Sequence, residues 1–180
     1  MSDVANSEIE LELTFLAKFW PKELDGVEPV LMKDIYVPDT ARHPYLRLRQ
    51  KGDKYEITKK RPVSDSDIST QTEQTIPLQK TEFDALSSAS QKAVSKKRYH
   101  VQLAGREAEV DVFTDKLAGL VLIDFEFKTQ AEKTAFKPPD CCLADVTQEE
   151  FIAGGLLAGK SFTDIKDDLA KFDYQPLTRS

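Results

Sequence analysis

Leu120-Val121-Leu122-Ile123-Asp124-Phe125-Glu126-Phe127 sets Val121, Ile123, Phe125 and Phe127 on one side of an extended chain and Asp124 and Glu126 on the other. An all-apolar face has to pack into a core, so the two carboxylates stand on the far side of a well-buried strand. The spacing recurs elsewhere with one sign of charge per strand. Glu10 and Glu12 alternate with Ile9, Leu11 and Leu13, and Arg47 and Arg49 alternate with Leu46 and Leu48; Lys96 with Arg98 and Glu109 with Asp111 repeat the pattern. Like charges at i and i+2 lie about 7 Å apart on one face and repel. For any single strand a solvated outer face is the plainer alternative, but solvated faces tend to mix signs. Five such strands leave two readings open, solvated outer faces or charged faces turned toward each other inside a closed sheet. In the second, acidic pairs can hold a hard divalent cation through oxygen, and basic pairs can hold phosphate. Both together form the donor set of metal-dependent phosphoryl transfer.

Working outward, Tyr45–Arg49 and Lys54–Lys60 flank the turn residues Gln50-Lys51-Gly52-Asp53, a hairpin signature. A strand is expected near Asp34–Val37 and another around Thr72–Leu78, and the segment Trp20–Met32, with Pro21, Gly26 and Pro29, reads as a short helix or loop. Pro62–Gln71 is rich in Ser, Asp and Thr and reads as a mobile loop. Thr81–Val94 carries Phe83, Leu86 and Ala93 at helical spacing with Thr81 as N-cap. Ser95–Leu103, Ala108–Phe113 and Leu120–Thr129 follow as an antiparallel meander with turns at Gly105 and Gly119. From about residue 147 the chain reads as helical, with a capping-box pattern at Thr147–Glu150 and a further helix in Ser161–Phe172.

The 180 residues carry 31 acidic and 25 basic side chains, a net charge of −6, with 40% hydrophobic residues. That suits one domain able to bury a core, and it argues against global disorder and general nucleic-acid binding. No apolar run reaches the roughly 18–20 residues of a membrane span, so no membrane is expected and a cytoplasmic location is. Cys141 and Cys142 are adjacent, unsuited to an ordinary disulfide and too few for a zinc cage; they read as reduced bystanders.

The order of these motifs resembles the CYTH domain family, the triphosphate tunnel metalloenzymes. Glu10-Leu11-Glu12-Leu13-Thr14 is similar to the opening ExExK strand, with Thr14 where the lysine is expected. Arg47-Leu48-Arg49, Gly52 and Thr58-Lys59-Lys60 resemble the RxR, glycine-turn and TxK pattern, and Glu73–Pro77, Lys96-Lys97-Arg98, Glu109-Val110-Asp111 and Asp124-Phe125-Glu126 follow in the family's order. The resemblance implies an α+β fold: a closed, antiparallel eight-stranded β-barrel or tunnel with helices packed outside, as one domain over 1–180. It implies Glu10, Glu12, Asp124 and Glu126 as ligands of Mg²⁺ or Mn²⁺, with Glu10, Glu12 and Glu126 catalytic. Arg47, Arg49, Lys60, Lys96 and Arg98 would bind substrate. Glu73, Glu109 and Asp111 are secondary candidates for a second metal or for orienting water. With Thr14 lacking the lysine's charge, Lys18 or Lys160 is a candidate to reach into the gap.

The expected function is hydrolysis of inorganic triphosphate, or of a small organic triphosphate, by a monomer or homodimer. A class IV-type adenylate cyclase and a catalytically idle triphosphate- or polyphosphate-binding module are the alternatives. His43 and His100 lack any Ser or Asp constellation for nucleophilic catalysis, and Gly154-Gly155 lacks a Walker lysine, so helix packing is the expected role of these glycines.

Overall fold

In a computed structural model that describes residues 8–64 and 67–178, β1 (Glu8–Ala17) is the strand on which the sheet closes. It pairs antiparallel with β8 (Val121–Phe127) along one edge. Along the other it pairs first with β5 (Asp67–Leu78), up to Leu11, and then from Phe15 with β9 (Cys142–Asp145). The remaining strands are β2 (Val30–Val37), β3 (Leu46–Lys51), β4 (Lys54–Ser64), β6 (Ala93–Leu103) and β7 (Arg106–Phe113). Their order, β5-β4-β3-β2-β6-β7-β8-β1 and back to β5, makes a closed eight-stranded antiparallel barrel to which β9 is added. Tight turns hold the register. Lys51 pairs with Lys54 across Gly52, whose φ is +58°, and Leu103 pairs with Arg106 across Ala104 and Gly105, at φ +50° and +79°. In the second turn, positive φ at both central residues matches the right-handed twist of the strands it joins.

Alternation divides the side chains between two surfaces. The outward set, including Phe15, Val110, Ile123, Phe125 and Phe127, forms a core under the 3₁₀ turn Lys22–Leu24 and around Phe136, which follows α2 (Gln130–Ala135). A smaller outer cluster of Ile35, Leu48 and Phe83 lies beneath α1 (Lys80–Ser87). The inward set is apolar at one end only. There Leu16, Tyr36, Val94, Phe113 and Leu122 pack against Leu157, Ile165 and Leu169 of α3 (Gly154–Leu157) and α4 (Phe162–Ala170). The C-terminal helices therefore cover one end of the barrel, whereas α1 and α2 lie on its outer face. Tyr174 fixes this cover: its hydroxyl accepts from the Val121 amide and donates to the Gly119 carbonyl, each at 2.8 Å.

Several local expectations change. The loop expected at 62–71 is largely strand, since β4 and β5 pair through Pro62↔Gln71 to Ser64↔Asp67; residues 65 and 66 lie outside the described residues. Polar residues suffice there because backbone bonds, and not an apolar face, hold the arms together. Past Lys60, β4 pairs only with β5 among the described residues, so Pro62 withholds no donor from β3. The helix expected over 81–94 runs only from Lys80 to Ser87, capped by Gln79 with Glu82 and not by Thr81. It stops where Ser87 and Ser88 donate their hydroxyls to the Asp84 and Ala85 carbonyls. β2 begins earlier than expected, at Val30. Thr147 opens no helix. Its hydroxyl instead accepts the Thr14 amide at 2.9 Å, and the chain before it forms the short strand β9. The helix expected in Ser161–Phe172 is present, with Ser161 and Asp164 forming its capping box.

The covered end leaves no slack at Gly154, where a Cβ would fall 2.0 Å from the Tyr36 hydroxyl. Gly154→Ala should therefore cost about 1–3 kcal/mol by overpacking, seen as a lower urea midpoint at unchanged slope. An unchanged midpoint would mean that α3 does not seat on Tyr36.

Candidate active site

The polar part of the barrel interior is a cavity of about 460 Å³. The twelve residues selected from the sequence as metal ligands, substrate contacts or secondary candidates all line it: Glu10 and Glu12 from β1, Arg47 and Arg49 from β3, Lys60 from β4, Glu73 from β5, Lys96 and Arg98 from β6, Glu109 and Asp111 from β7, and Asp124 and Glu126 from β8. Strand parity sends Lys59 and Lys97 outward, where they are exposed. A second, more open cavity of about 930 Å³ adjoins the first and shares Glu109, Asp124 and Glu126 with it.

Basic groups in the cavity are gripped by acids on a neighbouring strand or on the next strand but one. Arg49 Nε and Nη2 donate to the two carboxylate oxygens of Asp34 at 2.7 and 2.8 Å. Arg98 makes the same fork onto Asp111, 2.7 Å on each arm, and also reaches Glu109; Lys96 Nζ bonds Asp111 as well. Lys60 Nζ lies between Glu10 and Glu12, 2.7 and 2.9 Å from them. Arg47 is the loosest of the set. One Nη stands 3.4 Å from Glu73, and its Nε is buried with no hydrogen-bond partner.

Two kinds of carboxylate result. Asp34 and Asp111, 2% and 1% exposed, are enclosed by their cations. Burial would raise both carboxyls, but Arg49 beside Asp34, and Lys96 with Arg98 beside Asp111, hold them well below the usual carboxylate range. Asp124 belongs to the second kind. It is pushed up to about 7 by burial and by the charges of Asp111 and Glu12, although Thr14 Oγ1 donates to it at 2.6 Å. Burial and the nearby Glu109 and Glu10 raise Glu126 too. Glu12 faces Glu126 across β1 and β8, and Glu109 faces Asp124 across β7 and β8. Carboxylate thus opposes carboxylate where these three strands meet.

An oxygen-only, anionic donor set of this kind fits a hard divalent cation, which would relieve the field that lifts Asp124 and Glu126. As arranged, Lys60 occupies the space between Glu10 and Glu12. Among the described residues, no three His, Cys, Asp or Glu side chains converge as they do around a bound ion. Neither Lys18, exposed on the surface, nor Lys160 lines the cavity, so neither stands in for a lysine at Thr14. His100 is exposed with Nδ1 3.5 Å from Glu109, and His43 stacks obliquely on Tyr45 at the cavity edge. Asp34 and Tyr36 were not anticipated. Their signal was available as a polar i, i+2 pair on an expected strand, facing the same way as Arg47 and Arg49 on its neighbour.

The family model of the CYTH domain matches residues 7–138. An inorganic triphosphatase of Nitrosomonas europaea is 33% identical over 144 residues, spanning 78% of this chain and 91% of that protein. A crystal structure of an inorganic triphosphatase superimposes with a TM-score of 0.61 at 30% identity, covering 83% of this chain and 93% of the other. An adenylate-cyclase-like protein from Bacillus halodurans shares the fold, with a TM-score of 0.53 at 18% identity over 89% of this chain and 97% of its own.

The raised Asp124 carboxyl makes stability depend on pH in a defined direction. Its folded-state value of about 7 exceeds the ordinary 3.8, so the protonated form favours the fold. That contribution is complete below about pH 4 and is lost as pH rises through about 7. Asp124→Asn cannot ionise, so in EDTA its melting temperature should gain on the wild type between pH 5 and pH 8. Parallel pH profiles for the two proteins would mean that the cavity does not oppose this charge.

Proposed function

Because the chain belongs to the CYTH domain family, its charged cavity has a chemical context, and we propose that the protein is a metal-dependent hydrolase splitting inorganic triphosphate into diphosphate and phosphate. The observation that carries this reading is the convergence, in one enclosed cavity, of a cluster of guanidinium and ammonium groups with a separate cluster of mutually repelling carboxylates. Arginine forks match phosphate oxygens, and the partnerless Nε of Arg47 is a buried donor that a phosphate oxygen would satisfy. Carboxylates outnumber lysines and arginines in the lining, so a polyanion entering alone would be repelled. That imbalance supports entry of the triphosphate together with cations.

Glu10, Glu12, Asp124 and Glu126 would hold Mg²⁺ or Mn²⁺, which when bound neutralises phosphoryl oxygens and makes water a better nucleophile. The side chains of this chain then have distinct tasks. Arg47, Arg49, Lys96 and Arg98 bind and align the phosphates and offset the charge that spreads over the equatorial oxygens in the transition state. Glu12 and Glu10 hold the Lys60 ammonium charged against the effect of burial, and where those carboxylates held a cation Lys60 would be free to meet phosphate. Glu73 holds Arg47 from the β5 side. Glu109 and Asp111, both engaged with Arg98, orient that guanidinium in preference to binding a second metal. No covalent intermediate is needed.

Orthophosphate release from tripolyphosphate, ATP and thiamine triphosphate, each with Mg²⁺ and with Mn²⁺, tests the reading. Tripolyphosphate is expected to be the fastest substrate, and pyrophosphate with cyclic AMP formed from ATP would overturn the assignment. Glu10→Gln and Glu126→Gln keep side-chain size while deleting an anionic oxygen donor, and each should lower metal-dependent turnover about a hundredfold with the far-UV spectrum unchanged. Turnover at wild-type level in both would remove these residues from the metal site. Arg47→Ala should weaken tripolyphosphate binding about ten- to a hundredfold, the worth of a charge-assisted contact. Affinity within twofold of wild type would place phosphate elsewhere in the cavity.

A further inference from the structure

We propose that Asp34 and Tyr36 of β2 are positioning residues that fix the direction in which Arg49 and Arg47 of β3 present their guanidinium groups to triphosphate, an inference that rests on the reading of the cavity given above. The two strands are in register for it, with Asp34 opposite Arg49 and Tyr36 opposite Arg47. Both Asp34 oxygens are taken up by Arg49 Nε and Nη2, so Asp34 acts only through that arginine. The fork consumes one edge of the guanidinium and leaves Nη1 for a ligand.

Stability alone does not account for such a pair, since a buried ion pair repays its desolvation poorly compared with apolar residues of the same volume. What the pair supplies is a single orientation of a long side chain that would otherwise sample many rotamers. Tyr36 does the same for Arg47 by another route. Its buried ring stands directly opposite Arg47 in the β2–β3 register and lines the same cavity. Gly154 lies against the hydroxyl so closely that no Cβ would fit, which closes the space on that side of the phenol. Arg47 is thereby bounded on the β2 side while its Nε stays open. On the other side of β2, β6 presents Arg98 under the equivalent grip of Asp111 from β7.

The test is steady-state kinetics on tripolyphosphate. Asp34→Asn keeps the shape of the side chain but loses the charge that aligns Arg49; KM should rise about five- to twentyfold with kcat within about threefold. In an Arg49→Ala background the same change should add nothing to KM, because the residue acts through a guanidinium that is gone. Tyr36→Phe, which removes one oxygen and keeps the ring, should raise KM about two- to fivefold, and not at all beside Arg47→Ala. Nitrogen-15 spectra add a readout independent of turnover: wild type should show a slowly exchanging Arg49 Nε–H that Asp34→Asn loses. Unchanged KM in both single variants, or additive effects in both double variants, would overturn the proposal. If Asp34→Asn does not fold, the Tyr36→Phe pair of measurements decides it alone. A wild type that leaves tripolyphosphate intact would instead overturn the functional reading, which keeps the two failures distinct.

Discussion

Charge inside a closed sheet has to be answered from within the sheet. Bulk water cannot hydrate a carboxylate at Asp111 or Asp34, so each strand that sends one sign of charge inward needs a neighbour that sends the other. β6 with its cations lies between β2, which brings Asp34, and β7, which brings Asp111. β4 brings Lys60 to Glu10 and Glu12 of β1. This matching is incomplete where β1, β7 and β8 meet, and the deficit appears as the raised carboxyls of Asp124 and Glu126. Wherever the pairing is complete the residues serve to orient one another. Where it fails, the field inside the barrel opposes ionisation of the acids that line it.

The apolar end of the barrel has a complementary role. Leu16, Val94, Phe113 and Leu122 share strand parity with the charged residues, so the same alternation that lines the cavity also makes its floor. Phe113 contributes to both, since its ring lies 5.6 Å from Lys96 Nζ. Burial pushes the Lys96 ammonium down and Asp111 draws it back up, while Arg98 and Arg49 add to the lowering. A lysine balanced in this way gains more from an arriving anion than one already saturated with counter-charge.

The barrel was legible in the sequence because it advertises itself through repetition. A same-sign pair at i, i+2 is visible on β1, β3, β6, β7 and β8 without any knowledge of pairing, and those strands carry ten of the twelve residues selected for the site. Lys60 required the choice of one lysine out of two, which parity with Thr58 supplied. Asp34 left a weaker mark, a polar i, i+2 pair with Tyr36 and not a same-sign pair, and its partner on β3 follows from the register. The paired arms of β4 and β5 were hidden for a different reason. Backbone bonding leaves no mark on composition, so Ser, Thr and Asp within a ladder look like the same residues in a loop. β9, four residues long, holds the end of β1 through main-chain bonds and a threonine hydroxyl, and its apolar run Cys142-Leu143-Ala144 is too short to mark a strand.

The position of β1 also governs when the site can exist. Residues 8–17 have to wait for residues 67–78, then 121–127, and finally 142–147 before both of their edges are bonded. Each of these closures spans a long stretch of chain, and the loop entropy is spent before the contacts repay it. Glu10 and Glu12 therefore face Asp124 and Glu126 only once the chain has been made through β8, and the cover over the barrel end comes later still. A fragment that stops short of Asp124 lacks one of the two strands of acids, so the pairing of Glu12 with Glu126 is a product of the far end of the barrel's chain and not of any local segment.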